Sequence, residues 1–215
     1  METRMLKAAN GQNRAAIQEA ARLLRAGALV ALPTETVYGL GADATNPEAI
    51  AALYAVKGRP PQKPLSLLVV GAHALSQYCK AAPEAAYALA GRFWPGPLTL
   101  VLWKSERVPA VITAGGDTVG LRCPDHPVTL EILREAGIPV AAPSANLSGE
   151  KSPKSAAEVF SGLGGQIAAV VDGGDCDLGV ASTLLDLTVT PPKILRQGGL
   201  AAEEIKAVIG EVDLL

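Results

Sequence analysis

The strongest constraint on this chain is the repeated exchange of short apolar runs with amphipathic helical segments across its 215 residues. Asn13 to Ala26 carries Ile17, Ala20, Ala21 and Leu24 on one face and stops at Gly27, which predicts a first helix. Ala28 to Leu32 follows as a buried strand, and Pro33 to Gly41 as a turn-rich loop. Asn46 and Pro47 form a cap and first-turn pair, opening a helix that ends near Lys57 and Gly58. Leu65–Val70, Leu98–Trp103, Thr118–Arg122, Val140–Ala142, Ala168–Asp172, Ser182–Leu187 and Lys193–Arg196 are predicted strands. Helices are predicted from Pro83 to Gly91, His126 to Ala136, Ser155 to Phe160 and Ala202 to Ile209. Interleaving of this kind predicts one layered sheet-and-helix domain over residues 1–215, because no long linker divides it.

Composition narrows the classes. The chain is 49% hydrophobic, enough for a real core, and its net charge is −2. A protein that coats polyanions needs a basic excess, so any anion site here must be a local cluster of Lys and Arg. Cys79, Cys123 and Cys176 are odd in number and far apart, with no C-x-x-C, which predicts a reducing cytoplasm rather than a disulfide or zinc framework. Met1 to Gln12 is polar, without a signal core, and no apolar run approaches the roughly 20 residues of a membrane span.

Familiar motifs fail. Gly39-Leu-Gly41-Ala-Asp-Ala44 fits a loose dinucleotide pattern, but the next helix waits until Pro47 and Leu65–Val70 ends without an acid. No Walker-type loop, G-x-S-x-G or H-E-x-x-H occurs. His126, in Pro124-Asp-His-Pro127, reads as a capping or surface residue. Asp172, Asp175 and Asp177 read as turn residues bonding their own backbone.

Four loops carry a shared chemistry. They are Pro33-Thr-Glu-Thr-Val-Tyr-Gly-Leu-Gly41, Lys57-Gly-Arg-Pro-Pro-Gln-Lys63, Thr118-Val-Gly-Leu-Arg-Cys-Pro124 and Ala142-Pro-Ser-Ala-Asn-Leu-Ser-Gly149, the last followed by Lys151-Ser-Pro153. Ala181-Ser-Thr183 and Arg196-Gln-Gly-Gly199 come later. Guanidinium forks, ammonium groups, hydroxyls and glycine-rich backbone at strand ends suit a polyphosphate ligand. Each segment has a plain structural reading too: Lys57 complements a helix dipole, Thr34 or Thr36 bonds its own loop, and Ser144 and Asn146 make a turn.

The strings as a set resemble the YrdC-like family of threonylcarbamoyl-AMP synthases. The resemblance rests on Pro33 to Gly41, Lys57 with Arg59, Ser144 with Asn146, Trp94-Pro-Gly-Pro-Leu-Thr99 and Ser182-Thr183, and runs from about residue 12 to 210. It implies an α+β (mixed α/β) fold, a three-layer YrdC/RibB-like domain with a strongly twisted mixed sheet and a deep cleft. Longer members carry a C-terminal domain, and this chain is similar to the short bacterial type.

The resemblance also implies synthesis of threonylcarbamoyl-AMP from L-threonine, bicarbonate and ATP with Mg2+, in the cytoplasm, for a tRNA threonylcarbamoyl-transfer machinery downstream. Weak tRNA or double-stranded RNA binding remains open beside it, as does a YciO-type paralogue of different activity. By carry-over, Lys57, Arg59, Ser144 and Asn146 are catalytic. Arg59, Lys63, Thr118, Ser144, Ser152 and Arg196 hold ATP, and Thr36, Arg122, Ala142 and Ser182 hold threonine. No metal ligand is assigned. Longer members can carry His where this chain has Leu68.

Overall fold

The computed structural model describes residues 2–8 and 13–214. Part of the polar stretch before Asn13, and the start of the family resemblance, fall outside them. The chain order is β1 (Arg4–Lys7), α1 (Arg14–Arg25), β2 (Val30–Leu32), β3 (Gly39–Asp43), α2 (Pro47–Lys57), β4 (Ser66–Leu68), α3 (Ala74–Tyr78), α4 (Glu84–Phe93), β5 (Leu98–Trp103) and β6 (Thr118–Arg122). Then come α5 (Pro127–Ala136), β7 (Val140–Ala141), α6 (Ala156–Leu163), β8 (Ala169–Asp172), β9 (Thr183–Asp186), β10 (Lys193–Arg196), α7 (Ala202–Ile209) and β11 (Asp213–Leu214). A short 3-10 turn, Ala110–Thr113, precedes β6.

The strands form one mixed, twisted sheet in the order β1-β8-β2-β3-β7-β4-β6-β5-β9-β10-β11. Side chains alternate across it, and the alternation sorts the core in two. Val30, Leu32, Leu68, Val140, Ala169 and Val171 point to one face, where α1 and α5 cover them with Ile17, Leu24, Val128 and Ile132. Ala31, Leu40, Leu67, Leu100, Leu121, Val170 and Leu185 point to the other, beneath α2, α4, α6 and α7. The result is three layers, helix on sheet on helix. However, α1 and α5 cover only part of their face. Over β4, β6, β5, β9 and β10 that same face is open, and the cleft lies there.

Local chemistry places the helices as expected. Asn46 Oδ1 accepts from the Glu48 and Ala49 amides, Pro47 begins α2, and Gly58 ends it in the left-handed region. Asn13 caps α1 in the same way.

Other elements differ from expectation. The loop expected over Pro33–Gly41 gives way to β3 at Gly39, and β3 is wholly buried. Its glycines look like turn residues, yet a Cβ on Gly41 would meet Leu32 Cδ1 at 3.1 Å and the Val30 carbonyl oxygen at 3.2 Å. Close approach between neighbours selects glycine here. The short edge strands β1 and β11 and the five-residue α3 offer too few residues for a period to show.

Candidate active site

The cleft floor follows from strand register. Leu68 pairs with Arg122 and Ser66 with Gly120 between β4 and β6. Parity then places Ser66, Leu68, Thr99, Gly120 and Arg122 on one face. Leu184 pairs with Arg196 between β9 and β10, so Ser182 and Arg196 join them. Gly120 keeps the floor open, since a Cβ there would lie 2.6 Å from Ser66 Oγ. The resulting cavity of about 190 Å3 is walled by Val37, by Arg59, Pro64 and Leu65, by the Ala142–Ser144 segment, and by Ser152 and Ala181.

Three guanidinium groups, those of Arg59, Arg122 and Arg196, face this space, and among the described residues no acid lines it. Arg59 gives Nε to the Lys63 carbonyl and Nη2 to that of Pro64, at 3.3 and 2.9 Å. Arg196 gives Nε and Nη2 to the Ser182 carbonyl at 3.1 and 2.9 Å, and Nη2 also reaches Ser182 Oγ at 3.3 Å. Thr99 Oγ1 lies 2.7 Å from the same Ser182 hydroxyl. Burial, then the charges of Arg122 and Arg59, pull the Arg196 pKa below its ordinary value. An arginine so placed stays protonated, and the strain of gathered like charge is relieved by an anion. A chain of net charge −2 thus holds a locally cationic cavity.

The loops around the cavity are held by buried hydrogen bonds. Thr34 Oγ1 donates to the Val37 carbonyl at 2.6 Å and accepts from the Thr36 and Val37 amides. Thr129 Oγ1 on α5 donates to the Pro33 carbonyl. On the sheet's far edge, the turn at Gly198 lies directly on the Ala181–Thr183 backbone, its amide 2.9 Å from Thr183 Oγ1.

Lys57 is buried at the end of α2, and its ammonium donates to the carbonyls of Ser144 and Asn146. It therefore ties α2 to the loop that forms one wall. Burial, with the Arg59 charge adding to it, pulls the Lys57 pKa from 10.5 down to about 8. The sign follows directly. Between pH 8 and 10.5 the unfolded chain holds the Lys57 proton and the folded chain has released it. The stability of the wild type relative to Lys57→Met is therefore expected to rise with pH through that window and to be lowest below it. Chemical denaturation of both proteins at several pH values checks this; a parallel pH dependence would contradict it.

The residues expected from sequence divide into those at the cavity and those behind it. Arg59, Arg122, Ala142, Ser144, Ser152, Ser182 and Arg196 line it. Lys57 and Asn146 stand behind the wall, and Asn146 Nδ2 donates to the Leu147 and Glu150 carbonyls. Thr36 is fully buried beside wall residue Val37, with its hydroxyl 2.9 Å from that of Thr34. Lys63 is exposed beyond Arg59, and Thr118 begins β6 outside the cavity lining.

Sequence reasoning gave no role to Glu35, Ser66 or Thr99. Glu35 Oε2 lies 2.8 Å from Arg122 Nη2 and accepts from the Asp125 amide at 3.0 Å. The alternation of the strands carrying Ser66 and Thr99 with that carrying Arg122 was the available signal for those two. His126 occupies the N-cap position of α5, as expected, but its side chain makes no cap bond and is partly buried. Asp172 Oδ1 accepts from the Gly174 amide at 3.3 Å, as a turn aspartate does.

Fold and cavity together define a class: a three-layer mixed-sheet domain with an arginine-lined cavity on the open face of its sheet. The profile of the Sua5–YciO–YrdC family, described as "Telomere recombination", matches residues 22–198, and the chain belongs to this family. A threonylcarbamoyl-AMP synthase of Pyrococcus abyssi is 51% identical over 91% of this chain and 58% of its own length. That of Bacillus subtilis is 49% identical over 91% and 57%. The chain thus spans little more than half the length of these relatives. Among solved structures, Pyrococcus abyssi Sua5 complexed with L-threonine matches with a TM-score of 0.97 at 47% identity, over 99% of this chain and 63% of that one. Escherichia coli YciO matches with a TM-score of 0.84 at 24% identity, over 95% and 98%, and shares the fold.

Proposed function

We propose that this domain is an L-threonylcarbamoyladenylate synthase, making threonylcarbamoyl-AMP and pyrophosphate from L-threonine, bicarbonate and ATP. The observation that carries this is the convergence of Arg59, Arg122 and Arg196 on one hydroxyl-lined cavity without an acid in its lining among the described residues. Support comes from relatives about half identical that bear the synthase name, and from the threonine complex of a structure that matches nearly all of the chain.

The chemistry suits such a site. The threonine amine takes up bicarbonate carbon, giving N-carboxy-threonine and water. A carboxylate oxygen of that carbamate attacks the α-phosphate of ATP, the bond to the β-phosphate bridging oxygen breaks, and pyrophosphate leaves with the electron pair. No enzyme nucleophile takes part, so catalysis is positioning and charge stabilisation.

Arg122 clamps the threonine carboxylate, and the Ser182 hydroxyl and Ala142 backbone hold its other polar groups. Thr36 joins them by exchanging its Thr34 partner for the ligand. Arg59 and Arg196 face the charge that grows on pyrophosphate, with Lys63 and Thr118 at the outer end of the nucleotide and Ser144 and Ser152 along it. Lys57 and Asn146 keep the Ser144 wall in place. Magnesium enters with the substrate as MgATP, carried by phosphate oxygens and water, and we assign it no protein ligand. The product is an activated adenylate for a tRNA threonylcarbamoyl-transfer machinery in the cytoplasm.

The test is pyrophosphate release from MgATP, omitting threonine and bicarbonate in turn. Release that needs both is the expected result. If ATP binds without release, the activity is that of a YciO-type paralogue. Salt-sensitive tRNA retention without either would favour an RNA-binding role.

A further inference from the structure

Glu35 sits in the buried Pro33–Tyr38 loop and is 7% exposed. Its Oε2 accepts from Arg122 Nη2 at 2.8 Å and from the Asp125 amide at 3.0 Å. Its Oε1 is buried, with no hydrogen-bond partner among the described residues. A carboxylate in this half-satisfied state is a net cost to the fold, because desolvation outweighs what one ion pair returns. Stability therefore does not explain why it is there.

Its effect on Arg122 does. Arg122 gives Nε to the Gly96 carbonyl at 3.4 Å and one Nη2 proton to Glu35. Those two bonds engage Nε and Nη2. Nη1 has no protein acceptor among the described residues, and Arg122 lines the cavity. The main chain holds the carboxylate firmly: the Leu178 amide donates to the Glu35 carbonyl at 2.9 Å, and Thr129 ties the Pro33 end of the loop to α5.

We infer that Glu35 is a positioning residue for the amino-acid substrate: it fixes the Arg122 guanidinium with its Nη1 edge turned to the cavity, ready for a carboxylate. This rests on the synthase reading above. Its charge also offsets that of Arg122, so removing it makes the cavity more cationic while releasing the clamp. Threonine and ATP must then respond differently, whereas a loss of folded protein lowers kcat alone.

The experiment is steady-state pyrophosphate release by wild type, Glu35→Gln and Glu35→Asp, with threonine and ATP varied in turn. Glu35→Gln is expected to raise the threonine KM about tenfold or more while the ATP KM holds or falls. A threonine KM within about twofold of wild type, with only kcat reduced, overturns the inference. If Glu35→Gln does not fold, Glu35→Asp decides. It keeps the charge but is one methylene shorter, so an intermediate threonine KM is expected and an unchanged one overturns the idea. If wild type releases no pyrophosphate, the synthase reading fails separately, and the thermal shift caused by threonine alone becomes the readout. A shift in wild type that is lost in Glu35→Gln supports the positioning role. An equal shift in both, or none in wild type, overturns it.

Discussion

Arg122→Ala is expected to lower stability by about 3 to 5 kcal/mol, because it strands a buried charge. The pair it breaks is desolvated on both sides: the Arg122 and Glu35 side chains keep only 10% and 8% of their exposure. The remaining carboxylate would retain the Asp125 amide and nothing else. The same variant should raise the threonine requirement by about two orders of magnitude, since a charge-assisted two-point contact is lost. The ATP requirement should change far less, because Arg59 and Arg196 remain. Urea unfolding measures the first effect and saturation kinetics with each substrate the second. Adding Glu35→Gln to Arg122→Ala should return much of the stability without restoring threonine use. Equal effects on both substrates would put Arg122 on the wrong side of the cavity.

Gly198→Ala should be nearly as damaging although it adds one methyl group. A Cβ at Gly198 would lie 2.3 Å from the Ala181 carbonyl oxygen, 2.3 Å from the Ser182 carbonyl carbon and 2.4 Å from the Thr183 nitrogen. All three are backbone atoms, so no side-chain rotation relieves the clash. The turn after β10 must lift from the segment before β9, at a cost of about 3 kcal/mol. That movement would part Arg196 from the Ser182 carbonyl and Gly198 from Thr183 Oγ1. Turnover should fall with stability. Near-native melting together with near-native activity would show that the turn shifts freely.

Much of this was legible in the sequence. Local signals located α2, whose Asn46-Pro47 start and Gly58 stop act through nearest neighbours, and the central strands, whose apolar runs are buried from both sides. The grouping of Arg59, Ser144, Ser182 and Arg196 was legible only through the resemblance, because their meeting depends on strand order. β3 was half-missed because Gly39 and Gly41 answer to Val30, Leu32 and Ala142 rather than to their own neighbours. Lys57 was read as catalytic because sequence gives its charge but not its direction; its head turns inward to two carbonyls. Glu35 was passed over for a related reason. Its partner, Arg122, is 87 residues away, and no local pattern announces a pair formed across that distance.

One face of the sheet serves both as a packed core under α1 and α5 and as the cleft floor, and this divides the site kinetically. The amides of Leu68, Leu100 and Arg122 belong to interior strands backed by the larger hydrophobic cluster. Their exchange with solvent deuterium waits on opening of the whole sheet. The Ser144–Ser152 wall is tethered instead by the Lys57 ammonium, by the Ala145 and Ser148 amides bonded to the Tyr38 and Lys57 carbonyls, by the Tyr38 and Leu40 amides bonded to the Pro153 and Pro143 carbonyls, and by a few turn bonds. With fewer cross-ties than an interior strand, it is expected to open at a lower free energy than the floor, and its amides should exchange first.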